Sequence, residues 1–511
     1  MASTESMRSV EAFSFLVEKP IFHNKGKSMD AVNQVLERFE QISSVPRGTK
    51  REEKISQWLQ SWAKEHGFSY RVDQTGNLVI HIPASVGMEH APMVILQGHM
   101  DMVCEKTRDS NHDFTRDPIH IIRDGDWLKA DHTTLGADNG IAIALALAIA
   151  EDKHVSHPPL ELLFTVEEEI GIGGASGLDP SLISGKTMIN LDSEEEGSFI
   201  IGCAGGKTTF ITLPISKKEP LPSDFDVLHI FVGGLQGGHS GADIHKHRGN
   251  ANKILARALD RFAQDMELRL ITLKGGTARN AIAREAQAVF ACPTHMSDAC
   301  REQFASFEKE VCAEYAKSDG GLVLSLEAAK SGNKMEALNS ADAMKIIHLL
   351  MALPHGVIYM SASIEGFVET STNLAVLDLQ EDGLHITTLQ RSNMMSRLDE
   401  IDQQIEGIAR LAEAEIRFTE GYPAWQSNTD SPLLQKSVKV YESLFRQKPE
   451  VGIIHAGLEC GIIGDRCGGL DMISLGPTIK GAHSPDEKLY IPSVEKVWNL
   501  LRALLRSFSQ D

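Results

Sequence analysis

The sequence predicts an α/β fold: a domain with a largely parallel sheet flanked by helices, interrupted by an inserted α+β domain that looks duplicated. Three observations predict it. Short apolar runs alternate with helical stretches as far as Gly206, strand pairs then mix with helices, and the first style resumes near Gly421. At 511 residues the chain is also too long for one ordinary core. The expected organisation is an N-terminal extension over residues 1–27, a first domain in two parts (28–206 and 421–511), and the insert at 207–420.

Ser28 to Phe39 has helical periodicity, with Val32, Val35, Leu36 and Phe39 on one side. A turn at Val45-Pro46-Arg47-Gly48 leads to a helix from Arg51 to His66, which places Ile55, Leu59 and Trp62 on one face and stops at Gly67. Strands are expected at Ser69–Val72, Asn77–Ile82 and Pro92–Leu96, the last running out into Gln97-Gly98-His99-Met100-Asp101. Asp138 precedes the apolar helix Ile141–Ala150 and lies near its N-terminus, where an anion is favoured. The strand Leu160–Phe164 exits through Thr165-Val166-Glu167-Glu168-Glu169, and Thr187–Leu191 delivers Asp192. In α/β sheets ligands gather at the carboxyl ends of strands, where these polar residues fall.

Within the insert, strands at Val227–Phe231, Leu268–Leu273, Glu285–Ala291 and Leu322–Leu326 surround helices at Ala251–Phe262 and about Met296–Lys317. A second round has helices Ala341–Leu353 and Leu398–Ala414 around a strand at Val357–Met360 and a hairpin that turns at Glu381-Asp382-Gly383. The two rounds are the suggested duplication. Past Gly421, helix Leu433–Phe445, strand Met472–Leu475 and amphipathic helix Val494–Phe508 complete the first domain.

A net charge of −20, from 50 basic and 70 acidic side chains, argues against a nucleic-acid partner. Seven scattered cysteines without a CxxC pair fit a reducing compartment. The longest apolar run, Ile141–Ala150, is about half of the ~20 residues a membrane span needs, and the N-terminus lacks a secretory pattern. A cytoplasmic protein with no membrane partner is expected.

Three consecutive glutamates taken alone read as a solvated acidic turn. The rest of the chain changes the weighing, because other apolar runs also end in histidine or aspartate. His99 and Asp101 alternate on a strand end and so share one side. An HxD pair is more often structural than metal-binding, but Asp138, Glu169, Asp192 and His483 make a donor set for two divalent cations if one carboxylate bridges.

GHMD at 98–101, LGADNGIA at 135–142, VEEEIG at 166–171, NLDSEEEG at 190–197 and GAHSPDE at 481–487 resemble the M20 family of metallopeptidases. The match is closest to the aminoacyl-histidine (Xaa-His, carnosinase-like) dipeptidase branch, with further agreement at GGHSGADIH (237–245), GGTARNAIA (275–283) and HAGLECG (455–461). The resemblance runs from about residue 30 to the C-terminus. It implies that 28–206 and 421–511 form a catalytic domain and 207–420 a lid. It implies one zinc on His99 and Asp192, a second on Glu169 and His483, and Asp138 bridging, with manganese or cobalt as alternative metals. Glu168 would be the general base toward a water bridging the ions, Asp101 would orient His99, and the Asp138–Asn139 peptide would be cis. In the lid, His239 would steady the tetrahedral intermediate and Arg391, at a strand exit, would grip a substrate carboxylate. Asn280 and Asn373 sit in similar motifs, and the sequence leaves open which one meets substrate. His455 and Glu459 line the pocket or form a buried pair. The implied activity is hydrolysis of Xaa-His and related dipeptides, and a homodimer stays open.

Outside a structural role, Cys203 and Cys460 have no Cys-His arrangement to make them nucleophiles. A dinucleotide site after Leu160–Phe164 fails, because Ser176 occupies the third glycine position and three glutamates stand where a pyrophosphate would bind. Tripeptide aminopeptidase, N-acyl amino acid deacylase and a non-catalytic peptide-binding homologue remain as rivals. The last predicts loss of Glu168 or of a ligand, and all are present.

Overall fold

The computed structural model describes residues 27–329, 335–362 and 364–510. The expected extension lies outside them, except that Lys27 opens the first helix, Lys27–Ser43. An eight-stranded sheet runs in the order Ser69–Val72, Leu78–Ile82, Leu160–Thr165, Val94–His99, Thr187–Asn190, Asp471–Ser474, Ser198–Cys203, Glu450–Ile454. Its centre is parallel, with Val94–His99 between Leu160–Thr165 and Thr187–Asn190, and Asp471–Ser474 next. The first two neighbour pairs are antiparallel, as is the pairing of Asp471–Ser474 with Ser198–Cys203. The sheet is therefore mixed around a parallel core.

All six residues of Val94–His99 and of Leu160–Thr165 are buried. Burial on both faces is why these strands read as mostly apolar runs, broken only by buried polar residues such as Glu161 and Gln97, instead of alternating ones. Helix Ala137–Glu151 covers this centre and is buried from Asn139 to Ile149. Alanines at 142, 144, 146 and 148 keep it slim between the sheet and Lys27–Ser43. A helix apolar all round has no solvent face to present.

The insert folds on its own apolar cluster around Ile254, Leu259, Phe262, Phe290, Ile347 and Ile405. Its larger sheet runs Val323–Ala328, Phe225–Gly233, Ala286–Pro293, Arg269–Gly275, Val368–Leu379, Gly383–Ser392, Gly205–Pro214, Glu415–Phe418, with Gly356–Met360 paired alongside Val368–Leu379. Lys274 and Gly275 join the halves by pairing with Asp378 and Leu377. Each half contains an inner strand, a helix, a hairpin, a second helix and an edge strand.

The long strand Gly205–Pro214 was not expected, because Gly205-Gly206 reads as a break. The glycine is needed for close approach: a Cβ on Gly206 would lie 2.5 Å from the Tyr422 Oη. Also unexpected is a small sheet of Ile479–Lys480, Lys488–Tyr490, Trp127–Ala130 and Ile121–Asp124. Its strands are too short for a period to show, yet its hairpin loop carries His483. No helix among the described residues is long and apolar enough to cross a membrane.

Candidate metal centre

Three parallel strands end side by side and deliver most of the site. His99 closes Val94–His99, Glu168 and Glu169 follow Leu160–Thr165, and Asp192 follows Thr187–Asn190. Asp138 lies in the first turn of helix Ala137–Glu151, and its peptide bond to Asn139 is cis. His483 arrives from the small sheet with φ 63.

The His99 Nε2 is 3.0 Å from Asp138 Oδ1 and 3.4 Å from Asp192 Oδ1. The His483 Nε2 is 3.1 Å from Asp138 Oδ2 and 3.0 Å from Glu169 Oε2. The two oxygens of Asp138 thus face different histidines, and two donor triads, His99–Asp138–Asp192 and Asp138–Glu169–His483, share that carboxylate. A third grouping, His99–Glu168–Glu169, brings Glu168 to the same place.

The donor set fits two divalent cations. Among the described residues, Asp138, Glu169 and Asp192 make ion pairs only with the two histidines, and Glu169 Oε1 is buried without a hydrogen-bond partner. Carboxylates so placed demand positive charge. Hydrogen bonds to Asp138 and Glu169 push the His483 pKa up to about 11. Burial opposes protonation of His99, but the Asp192 charge and hydrogen bonds to Asp101, Asp138 and Asp192 raise its pKa well above the usual value. A pair of imidazoles and several carboxylates is a donor set that zinc, manganese and cobalt accept.

Asp101 ties the centre together. Its Oδ1 lies 3.3 Å from His99 Nδ1, and its two carboxylate oxygens accept the backbone N–H groups of Glu168 (3.0 Å) and Glu169 (3.2 Å). With Nδ1–H directed at Asp101, the Nε2 lone pair faces Asp138 and Asp192. Burial raises the Glu168 pKa well above the glutamate value; His99 opposes this, while Asp192, Glu459 and Glu169 add to it.

Two buried side chains that the sequence reading did not single out hold the backbone here. Glu487 accepts N–H groups from Leu135 (2.8 Å), Gly136 (2.9 Å) and Asp138 (3.2 Å). The Arg47 guanidinium donates to the carbonyls of Met100 (3.1 Å), Asp101 (2.9 Å) and Gly136. Glu487 stood inside the GAHSPDE motif, and that was its only signal. Arg47 looked like an ordinary turn arginine. Glu459 is fully buried, and its Oε2 accepts from Gln97 (2.6 Å) and Thr165 (2.7 Å) while Oε1 has no partner. Burial pushes its pKa up to about 7.

In the lid, Arg391 is the penultimate residue of strand Gly383–Ser392, at its exit end, and donates to the Tyr422 hydroxyl at 2.6 Å. Its Nη2 is 3.5 Å from His239 Nε2. The His239 Nδ1 accepts N–H groups from Gly241 (3.3 Å) and Ala242 (3.1 Å), which leaves the ring proton on Nε2. Burial, then the Arg391 charge, lowers the His239 pKa to about 4, with His483 also acting on it. His455 bonds through Nε2 to the Ser371 hydroxyl at 2.7 Å, a link from catalytic domain to lid. Asn373 is buried and donates to the carbonyls of Arg279 (3.2 Å) and Ala281 (2.8 Å), so it clamps the loop that bears Asn280, whose own side chain is exposed. Cys203 and Cys460 are buried in an apolar cluster with Trp425 and Ile463.

The signature described as peptidase family M20/M25/M40 matches residues 95–507. The chain belongs to this family. It is 42% identical over 468 residues to the cytosol non-specific dipeptidase of Escherichia coli, covering 92% of this chain and 96% of that protein. The crystal structure of aminoacylhistidine dipeptidase from Vibrio alginolyticus superposes with a TM-score of 0.84 at 40% identity, over 93% of this chain and 96% of that one. A Staphylococcus aureus tripeptidase, at 15% identity and a TM-score of 0.54 over 94% of this chain and 99% of that one, shares the fold. The chain thus has the catalytic-plus-lid architecture of this peptidase family, and the residues of its strand-end cluster, from His99 to His483, all fall within the matched segment.

Proposed function

We propose that this chain is a cytoplasmic two-metal dipeptidase that hydrolyses Xaa-His and related dipeptides, with Glu168 as general base. One observation carries the proposal most directly: Asp138 stands between two histidine–carboxylate sets, and Glu168 is beside both while making no ion pair with either histidine. The similarity to a dipeptidase of Escherichia coli and to an aminoacylhistidine dipeptidase supports the substrate class. The boundaries near 206 and 421 belong to the same proposal, supported by the separate apolar clusters of the two domains.

Divalent cations on His99–Asp138–Asp192 and Asp138–Glu169–His483 would polarise the scissile carbonyl and acidify the attacking water. The chain's own groups do the rest. Asp101 fixes the His99 ring and, through two N–H groups, the turn that carries Glu168 and Glu169. Glu168 takes a proton from water and returns it to the leaving amine, so it must stay off the histidines and within hydrogen-bond reach of the reacting atoms. Neutral His239 offers its Nε2–H to the oxyanion of the tetrahedral intermediate. Arg391 receives the substrate's terminal carboxylate.

The test is a panel of carnosine, another Xaa-His dipeptide, a tripeptide and an acetyl-amino acid, assayed with zinc, manganese or cobalt. Dipeptide turnover is the expected result. Acyl cleavage without dipeptide turnover would overturn the substrate class, and no turnover of any member would favour a binding protein.

A further inference from the structure

A cavity of about 500 Å³ opens beside Glu169, walled by Met102, Val103, Cys104, Phe114 and Ile170, with Arg51 also in its lining. No lid residue lines it. Volumes in this range hold small ligands. Both apolar walls start from residues already placed in the centre: Met102 and Val103 directly follow Asp101, and Ile170 directly follows Glu169. We propose that this cavity receives the side chain of the dipeptide's N-terminal residue and selects for aliphatic and thioether side chains.

The inference rests on the dipeptidase reading above. With the terminal carboxylate at Arg391 in the lid and the scissile carbonyl between the two histidine sets, the first residue extends away from the lid. The cavity meets that requirement in its lining, which includes Glu169 and no residue of the lid. Ile170 is 58% exposed, unusual for a large apolar residue on a constrained turn. The turn is held in place by left-handed backbone at Glu167 (φ 52), Gly171 (φ 85) and Ile172 (φ 59). The N–H groups of Glu167, Glu168 and Glu169 are bonded to Glu52 and Asp101. Ile170 is thus an apolar wall in a fixed position beside the reacting centre. Gly48 and Cys104, both in its lining, pack closely: a Cβ on Gly48 would lie 2.8 Å from the Cys104 Sγ.

The test compares Leu-His with Gly-His, which differ only in the first side chain, on metal-loaded enzyme. In wild type, kcat/KM for Leu-His exceeds that for Gly-His by about tenfold or more, the scale expected from filling an apolar pocket. Cys104→Trp, which fills the cavity, and Ile170→Asp, which makes its wall polar, each bring that ratio toward one. Ile170 is at the surface, so its variant decides the matter if Cys104→Trp does not fold. An unchanged ratio in the folded variants, or equal turnover of both dipeptides by wild type, overturns the inference and leaves the dipeptidase reading standing. No turnover of either dipeptide overturns both.

Discussion

The strand-end centre and the lid cluster use similar side chains but are assembled by different means. At the centre, His99, Glu168, Glu169 and Asp192 sit within four residues of parallel strand ends, so sheet register brings them together and Asp101 fixes the turn of the two glutamates. In the lid, His239 lies outside the named strands while Arg391 and Asn373 lie within them, and the partners of these two are far along the chain, Tyr422 and the carbonyls of Arg279 and Ala281 among them. The centre is a high-charge site that needs cations. The lid cluster is a pair of donors, neutral His239 and cationic Arg391, whose facing nitrogens are 3.5 Å apart. On the proposed function, chemistry falls to the strand-end centre and recognition to the lid.

If that contrast is right, variants at the centre cost activity through chemistry or metal content, and variants in the lid act through substrate. The largest effect is expected for Asp138→Ala, which removes the shared carboxylate: measured metal content should fall well below two per chain, and turnover should disappear. Retention of two metals would break the assignment of Asp138 to both sets. Glu168→Ala should keep metal content near two per chain while kcat falls by about 10²–10⁴-fold, the usual contribution of a general base. Wild-type kcat in that variant would remove Glu168 from the mechanism.

Arg391→Ala should weaken kcat/KM for dipeptides by on the order of a hundredfold, chiefly through KM, since a charged hydrogen bond contributes about 1.5–3 kcal/mol. Dipeptide amides, which lack the carboxylate, should show little of that loss. Equal losses for both would place Arg391 outside recognition. Glu459→Ala should lower unfolding stability by about 1–3 kcal/mol, because Gln97 and Thr165 lose their buried acceptor; a urea titration measures it.

The smallest effect is on pH. The folded pKa of His455 is pushed down to about 3 by burial, then by Arg391 and the neighbouring histidines. An unfolded histidine takes up its proton near pH 6.5, so the stabilising contribution of buried neutral His455 is complete above that pH. It is lost progressively as pH falls toward 3. The urea midpoint of His455→Asn should therefore depend less on pH between 6.5 and 4 than that of wild type.

Much of this was legible in the chain. Apolar runs at 94–96, 160–164 and 187–191 marked the central strands, because strands buried on both faces cannot hide their composition. The polar residues at their ends, His99, Glu168, Glu169 and Asp192, are brought together with Asp138 and His483. The cis Asp138–Asn139 peptide followed from the family resemblance. Less legible were the mixed strand directions, because hydrophobic period carries no information on whether neighbours run parallel. The strand that delivers Arg391 runs through it to Ser392, since the ends of elements are the least legible part of a periodic pattern.

Taken alone, then, the sequence determined which side chains could do chemistry and which strands would carry them, because composition and motif spacing are local properties. Tertiary structure decided what those side chains face. Glu487 anchors backbone around Leu135 from some 350 positions away, and Arg47 reaches carbonyls at Met100, Asp101 and Gly136. Asn373 clamps the loop of Asn280 and takes the buried role of the two. Such contacts close long loops between a side chain and a backbone group. Every residue offers the same N–H or C=O, so nothing in the chain's lettering marks which of them will be met.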